Sequence, residues 1–220
     1  MAIKVIITGA TGMVGEGVLL ECLEHPDVKK IQIVGRKHYD LDHPKLKQFI
    51  VPDFFGLNES EADLSGYNAC FFCAGVSSVG MNEADYTRVT YDMTLHFARI
   101  IATLNPGMVL TYISGQATDS SEKGRVMWAR VKGKTENALM QLPFKSVYNF
   151  RPGIIKSLPG QQNIKSIFKV VDFLYPVLHT LFPNYSGTLK DVATAMIKCV
   201  QIGYPKNILE VRDINSLANG

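Results

Sequence analysis

Short apolar runs and helix-spaced apolar positions alternate along the first 150 residues of the chain. Ile3–Thr8 is rich in β-branched residues and has the composition of a strand that is buried on both faces. Apolar positions at helical spacing follow from Val14 to Cys22, and His25-Pro26 ends them because proline cannot continue a helix. The pattern therefore predicts a strand, a turn and a helix at the start of the chain.

The same two patterns continue to residue 150. Strands are expected at Ile31–Val34, Phe49–Val51, Ala69–Cys73, Met108–Ile113 and Val147–Phe150. A helix is expected from Tyr86 to Leu104, where Asn105-Pro106-Gly107 breaks it, and another over roughly 126–141. This order predicts an α/β fold with a Rossmann-like, doubly wound parallel sheet, whose ligands bind at the carboxyl ends of the strands.

The regular alternation loosens after Arg151-Pro152-Gly153. A mostly apolar helix is expected over 164–182, and another helix begins near Asp191. We predict a single domain in which residues 1–155 form the Rossmann-like part and residues 156–220 form a small, mainly helical lid on the substrate side.

The predicted helix over 164–182 is apolar around too much of its circumference for an ordinary surface helix. The simpler interpretation is that it covers a substrate cleft, or packs in the core or against a second subunit. Alternatively, it meets a membrane surface or a lipophilic ligand, with Lys165 and Lys169 on its other face. The sequence leaves both open, together with a homodimer or another protein partner.

The composition narrows the class of protein. The 220 residues are 46% hydrophobic and 20% charged, which is enough apolar material for a packed core. A net charge of +3 without a clustered basic face argues against nucleic-acid binding. Charged residues and a proline interrupt the apolar stretch at 164–182, so no membrane span is expected.

Cysteine usage bears on the compartment. The four cysteines are too few and too scattered for a disulfide scaffold, and free thiols fit a reducing compartment. Cys70 and Cys73 look like a C-x-x-C pair, but positions three apart on a strand face opposite sides of the sheet. Spacings typical of metal ligands are absent from the sequence, so no metal is expected. Without a signal-peptide pattern the chain is expected in the cytoplasm.

Thr8-Gly9-Ala10-Thr11-Gly12-Met13-Val14-Gly15 lies where the first predicted strand gives way to the first helix. The pyrophosphate of a dinucleotide needs a tight turn, a backbone free of side chains and N–H groups at a helix N-terminus. The glycines at G-x-x-G-x-x-G meet these needs. We expect the dinucleotide to contact Gly9, Thr11, Gly12, Met13, Val14 and Gly15; a purely structural glycine turn is the alternative.

Residues after the next two strands bear on which dinucleotide binds. The second strand is followed by Arg36-Lys37, where an NAD-selective site places an acidic residue for the ribose 2′-hydroxyl. Basic side chains suit the 2′-phosphate of NADP, so a preference for NADPH over NADH is expected; a solvated basic loop is the alternative. Asp53, just past the third strand, is placed to accept a hydrogen bond from the adenine amino group.

These motifs resemble the short-chain dehydrogenase/reductase superfamily, in its atypical and extended, epimerase-like branch. The resemblance covers about 1–155 and rests on Thr8-Gly9-x-x-Gly12-x-x-Gly15, Cys73-Ala74-Gly75, Ser114, Lys132 and Arg151-Pro152-Gly153. Within the superfamily the chain is most similar to the small Tat-interacting-protein-like reductases, which are often labelled nucleoside-diphosphate-sugar epimerases.

The resemblance implies a role for each matching position. Ala74 and Gly75 would pass close to the adenosine ribose. Ser114 would hydrogen-bond a substrate carbonyl or hydroxyl. Lys132 would hold the nicotinamide ribose, and the backbone around Gly153 and Ile154 would meet the carboxamide.

One position departs from the family's pattern. The family's general acid is a tyrosine four residues before the lysine, and that position is Trp128 here. A tyrosine hydroxyl can pass a proton to substrate, whereas an indole N–H is a donor only. One hypothesis is an oxidoreductase or epimerase-like enzyme that acts on a small carbonyl or hydroxyl substrate, with Ser114 and Trp128 polarising the carbonyl. The other is a catalytically silent NADP(H)-binding sensor or scaffold that acts through a protein partner.

Overall fold

Nine strands lie in the part of the chain that the computed structural model describes, residues 1–164 and 166–220. They are β1 (Ile3–Thr8), β2 (Val28–Gly35), β3 (Leu46–Ile50), β4 (Ala69–Phe72), β5 (Val109–Ile113), β6 (Ser146–Arg151), β7 (Ile154–Lys156), β8 (Ser186–Thr188) and β9 (Ile208–Glu210). Seven of them form one parallel sheet in the order β3-β2-β1-β4-β5-β6-β9, and β7 pairs with β8 in a small second sheet.

Helices cover both faces of the large sheet. They are α1 (Met13–Glu24), α2 (Glu83–Thr87), α3 (Met93–Leu104), α4 (Met127–Leu139), α5 (Ser166–Leu181), α6 (Leu189–Gln201) and α7 (Val211–Asn219). Buried residues of α1, α6 and α7 pack on one face, and those of α3 and α4 on the other. Alternate residues of β1 serve the two cores, with Val5 and Ile7 on the first face and Ile6 on the second.

The predicted Rossmann-like α/β fold is confirmed, including a strand, turn and helix at the start of the chain. The helix expected from Tyr86 to Leu104 is divided, because a π-helical turn, Arg88–Asp92, joins α2 to α3. Three strands and α7 were not predicted. Each of the missed strands has three residues, which is too short to show a period of two.

The tail after residue 155 contributes to two places in the molecule. α6 packs against α1, and β9 extends the central sheet beside β6. Both elements therefore belong to the layered core that the large sheet forms with the helices on its two faces. α5 packs on the small β7-β8 sheet instead, and its role as a lid stays a prediction. Lys165, expected on the polar face of this helix, lies outside the described residues. Among the helices that the structure describes, none has the length and apolar character needed to span a membrane.

A buried ion pair ties α4 to β6. The Arg151 Nε and Nη2 atoms donate to the two carboxylate oxygens of Glu136 at 3.0 and 2.5 Å. Glu136 has no exposed surface, while Glu210, which accepts from Nη1 at 3.2 Å, has a side chain that is 48% exposed. The two carboxylates share one guanidinium but differ in solvation, so their contributions to stability should differ.

We predict that Glu136→Gln lowers the free energy of unfolding by about 3 kcal/mol, because it leaves the buried side of the guanidinium without its counter-charge and only the solvated pair with Glu210 remains. The matched control, Glu210→Gln, should cost less than about 1 kcal/mol, because its ion pair is solvated. Urea unfolding of the three proteins measures both values. Equal losses in the two variants would contradict the assignment of the buried pair.

Candidate active site

The loop between β1 and α1 lies against the end of β4. Gly9 has a φ of +73°, and a Cβ atom there would stand 2.6 Å from the Ala74 nitrogen. The Ala74 N–H also donates to the Thr8 Oγ1 atom at 3.1 Å, which joins the ends of the two neighbouring strands. Only glycine allows both the left-handed backbone and this close approach of two main chains.

Gly15 and Gly12 serve different purposes in the same turn. A Cβ atom on Gly15 would lie 2.2 Å from the Gly9 oxygen, so α1 can approach the turn only because this side chain is missing. A Cβ atom on Gly12 would lie 3.4 Å from that oxygen, within tolerable contact distance. Gly12 is the N-cap of α1 and has no side chain that could cap the helix. The N–H groups of the first helical turn are therefore available to bind an anion.

Two adjoining cavities meet at this turn. The first, of about 580 Å³, includes Arg36, Lys37 and His38 in its lining, and is called the basic cavity below. The second, of about 500 Å³, includes Ile155, Phe168 and Val171, and is called the apolar cavity. The residues that line both are Thr11, Gly12, Cys73, Gly75 and Asn163. An elongated ligand that crosses the turn could therefore place one end in each cavity.

Most of the predicted dinucleotide contacts lie on these cavities. The basic cavity also has Gly9 and Ala74 in its lining, and the apolar cavity has Met13, Val14, Gly153 and Ile154. Gly15 lies behind the turn, buried against the Gly9 backbone. Asp53 is exposed and caps a 3₁₀ turn by accepting from the Phe55 N–H at 3.0 Å. The adjoining Phe54 is the residue that reaches the basic cavity on this side.

Ser114 and Lys132 contact each other through the Ser114 main chain. The Ser114 hydroxyl donates to the Phe150 carbonyl oxygen at 3.0 Å, and the Lys132 ammonium donates to the Ser114 carbonyl oxygen. Burial lowers the pKa of Lys132 to about 8, although the Glu136 carboxylate acts in the opposite direction. Trp128 is partly buried one helical turn before Lys132 on α4. The lining of the two cavities includes none of Ser114, Trp128 and Lys132.

Other groups that could move a proton are poorly placed. Tyr112 is in the core with its ring 5.9 Å from that of Phe72, and burial raises its pKa above the ordinary range. Tyr185 is exposed, and its carbonyl oxygen accepts from the Ile154 N–H. Burial raises the pKa of Cys73 to about 12, so this thiol is protonated at neutral pH. Among the described residues, His, Cys, Asp and Glu form no group of three that could hold a metal.

The sequence analysis missed two residues at the turn. Glu16 is fully buried, and Asn163 lines both cavities from a segment that is remote along the chain. An acidic residue in the first turn of a helix is usually explained by the helix dipole, so Glu16 carried no separate signal. Only the folded chain brings residues 16 and 163 together.

Comparisons with known proteins agree with this geometry. The rat protein HTATIP2 is 26% identical over 173 residues, which cover 75% of this chain and 70% of the relative. The protein FMP52-2 of Scheffersomyces stipitis is 29% identical over 170 residues, covering 76% and 72%. No protein-family model matches the chain. The solved structure of MoeE5 with UDP-glucuronic acid and NAD superposes with a TM-score of 0.68 at 15% identity, covering 98% of this chain and 81% of that one.

The HTATIP2-like relatives and the NAD-binding epimerase-like structures support the assignment of the chain to the atypical, epimerase-like branch of the short-chain dehydrogenase/reductase superfamily. The solved structure shows the shared fold, and the curated relatives show sequence similarity over about three quarters of the chain. The equivalence of Trp128 to the superfamily's tyrosine stays a prediction, as do the individual roles of the site residues.

The expected cytoplasmic location is wrong. The fungal relatives, of which FMP52-2 is one, are named mitochondrial proteins, and this finding overturns the expectation. The expectation rested on free thiols and the missing signal-peptide pattern. Free thiols are compatible with any reducing compartment, so they could not select the cytoplasm.

We predict that Gly12→Ala and Gly15→Ala separate binding from folding. Gly12→Ala should keep the melting temperature, because its Cβ atom fits and its φ is −107°, but weaken dinucleotide binding about tenfold or more by obstructing the phosphate. Gly15→Ala should lower the melting temperature, because the new Cβ atom forces α1 away from the turn. Thermal unfolding and calorimetric titration measure the two effects. A Gly12→Ala protein that binds normally would argue for a purely structural turn.

Proposed function

We propose that the chain is an NADP(H)-dependent reductase that acts on a small, partly apolar carbonyl substrate. The observation that carries this proposal is the pair of cavities that meet at the glycine turn, one basic and one apolar. A dinucleotide has its diphosphate between two nucleosides, so it matches two cavities with helix N–H groups at their junction. The solved structure of MoeE5, which holds NAD, shares this fold.

The preference for NADP over NAD is supported by the basic cavity. Arg36 and Lys37 follow β2, at the position where an NAD-selective Rossmann site has an acidic residue. Both side chains are exposed and line the cavity, together with His38. A guanidinium can form paired hydrogen bonds with a phosphate, so Arg36 is the residue expected to recognise the 2′-phosphate.

The residues present also suit the rest of the cofactor. Gly9, Thr11, Gly12, Met13, Val14 and Gly15 would surround the diphosphate, and Ala74 and Gly75 the adenosine ribose. In this assignment Asp53 accepts from adenine with the carboxylate oxygen that does not cap the 3₁₀ turn. Lys132 would hold the nicotinamide ribose, and Gly153 and Ile154 the carboxamide.

For the reaction, bound NADPH supplies the hydride. Ser114 polarises the substrate carbonyl, and its hydroxyl proton must then turn from the Phe150 oxygen towards substrate. The Trp128 indole N–H is a second donor for that carbonyl, but it has no proton to release at neutral pH. Solvent or a tail residue therefore provides the proton. Ile155, Phe168 and Val171 give the apolar cavity a surface for the apolar part of the substrate.

One observation favours a second function, a catalytically silent NADP(H) sensor or scaffold that acts through a protein partner. Ser114, Trp128 and Lys132 are not among the residues that line either cavity. A lysine that holds a ribose is useful for binding alone, whereas loss of the tyrosine removes only catalysis.

Turnover decides between these two functions. We expect the purified protein to oxidise NADPH with at least one small apolar aldehyde or ketone, and Ser114→Ala to lower kcat/KM about a hundredfold through loss of a carbonyl donor. The matched control, Ser121→Ala, changes an exposed serine and should leave the rate unchanged. If the protein binds NADPH but reduces no compound in a broad panel of aldehydes and ketones, the catalytically silent function is the correct one.

We also predict that Arg36→Ala weakens NADPH binding about tenfold and changes NADH binding less than about threefold, because only NADPH carries the 2′-phosphate. Arg99→Ala removes an exposed arginine from α3 and serves as the control with the same change in net charge. Calorimetric titration of each protein with both cofactors gives the affinities. Equal losses for NADPH and NADH would contradict the role of Arg36 in phosphate recognition.

A further inference from the structure

The buried carboxylate of Glu16 has no part in the function proposed above. Glu16 lies in the first turn of α1, directly after Gly15, and has no exposed surface. Its oxygens accept three hydrogen bonds, from the Tyr39 hydroxyl at 2.9 Å and from the Gln162 and Asn163 N–H groups at 2.8 Å each. One carboxylate thus joins three segments that are far apart in the sequence.

The first contact fixes the basic loop, residues 36–39. Tyr39 ends this loop, and the Gln48 side chain on β3 accepts from its N–H at 2.9 Å and donates to its carbonyl oxygen at 2.8 Å. Burial, and then the hydrogen bond to Glu16, raise the pKa of Tyr39 to about 12, so its hydroxyl is a donor at neutral pH. Glu16 therefore sets the distance between the basic loop and the glycine turn.

The other two contacts fix residues 158–163, called the strap below. The Gln161 side chain makes two further hydrogen bonds that fix the strap. Its Nε2 atom donates to the Met13 carbonyl oxygen at 2.6 Å, and its Oε1 atom accepts from the Leu158 N–H at 2.7 Å. The strap ends at Asn163, which lines both cavities. The strap thus lies over the junction where the diphosphate is expected.

A buried carboxylate is stable only where hydrogen-bond donors replace its water. Moving either the loop or the strap would remove donors from Glu16 and leave its charge under-solvated. The basic loop and the strap therefore stabilise each other's position, because both donate hydrogen bonds to the Glu16 carboxylate.

We propose that Glu16 is a positioning residue that sets both the selectivity for NADPH and the closure of the strap over the bound cofactor. This inference rests on the proposed NADP(H) function. Tyr39 transmits the first effect, and the Gln162 and Asn163 amides transmit the second.

Two substitutions separate the two effects. Tyr39→Phe removes only the bond to the loop, so the ratio of NADPH to NADH affinity should fall about fivefold while the strap amides keep their slow hydrogen exchange. Glu16→Gln replaces one acceptor oxygen with a donor, so the Gln162 and Asn163 amides should exchange faster and NADPH should bind about tenfold more weakly. The affinity ratio is the readout that a general loss of stability would not change.

The controls make the same chemical changes elsewhere. Tyr204→Phe removes a tyrosine bond to the Asp213 carboxylate, and Glu24→Gln neutralises an exposed glutamate at the end of α1. Neither should change the affinity ratio or the exchange of the strap amides. The measurements are calorimetric titrations with both cofactors and amide exchange of the free and NADPH-bound proteins.

The outcomes are distinguishable. A wild-type protein that binds neither cofactor overturns the proposed function and the inference with it. If the wild type prefers NADPH and Tyr39→Phe keeps the full preference, the inference alone is overturned, and this holds even if Glu16→Gln fails to fold. A folded Glu16→Gln protein with slow strap exchange and unchanged NADPH affinity also overturns it.

Discussion

The close approach of the Gly9 turn to the end of β4 is the contact on which the rest of the site depends. Main chain meets main chain there with no room for a Cβ atom, and α1 packs on the same turn through Gly15. This packing fixes the N-terminus of α1 at the carboxyl edge of the sheet. The open N–H groups of the helix and the two cavities follow from that position.

The two sides of the turn differ in chemistry because they are built from different parts of the chain. The loop after β2 brings Arg36 and Lys37 to one side, while β7 and α5 bring apolar side chains to the other. Glu16 stands between them as a buried anion with donors from both sides. A ligand that spans the turn would therefore contact segments that already share one carboxylate.

Much of the fold follows from local pattern, whereas much of the site does not. β1, the glycine turn and α1 were predictable, because β-branched composition, glycine spacing and helical periodicity all lie within 25 consecutive residues. β9 was not, because three residues gain their strand conformation only by pairing with β6. Glu16 and Asn163 are joined across 147 positions, and no local pattern reports such a contact. Only the structure shows that Ser114 and Lys132 contact each other and lie outside the lining of the cavities.

The central claim is that the glycine turn binds a nicotinamide dinucleotide. Trp128, the only tryptophan, lies on α4 and can report on this binding by energy transfer to the reduced ring. The measurement is fluorescence with excitation of Trp128 during titration with NADPH and, separately, NADH. The account predicts saturable quenching with energy transfer to the reduced nicotinamide, at much lower concentrations of NADPH than of NADH. No saturable change with either cofactor would mean that the turn serves the fold alone.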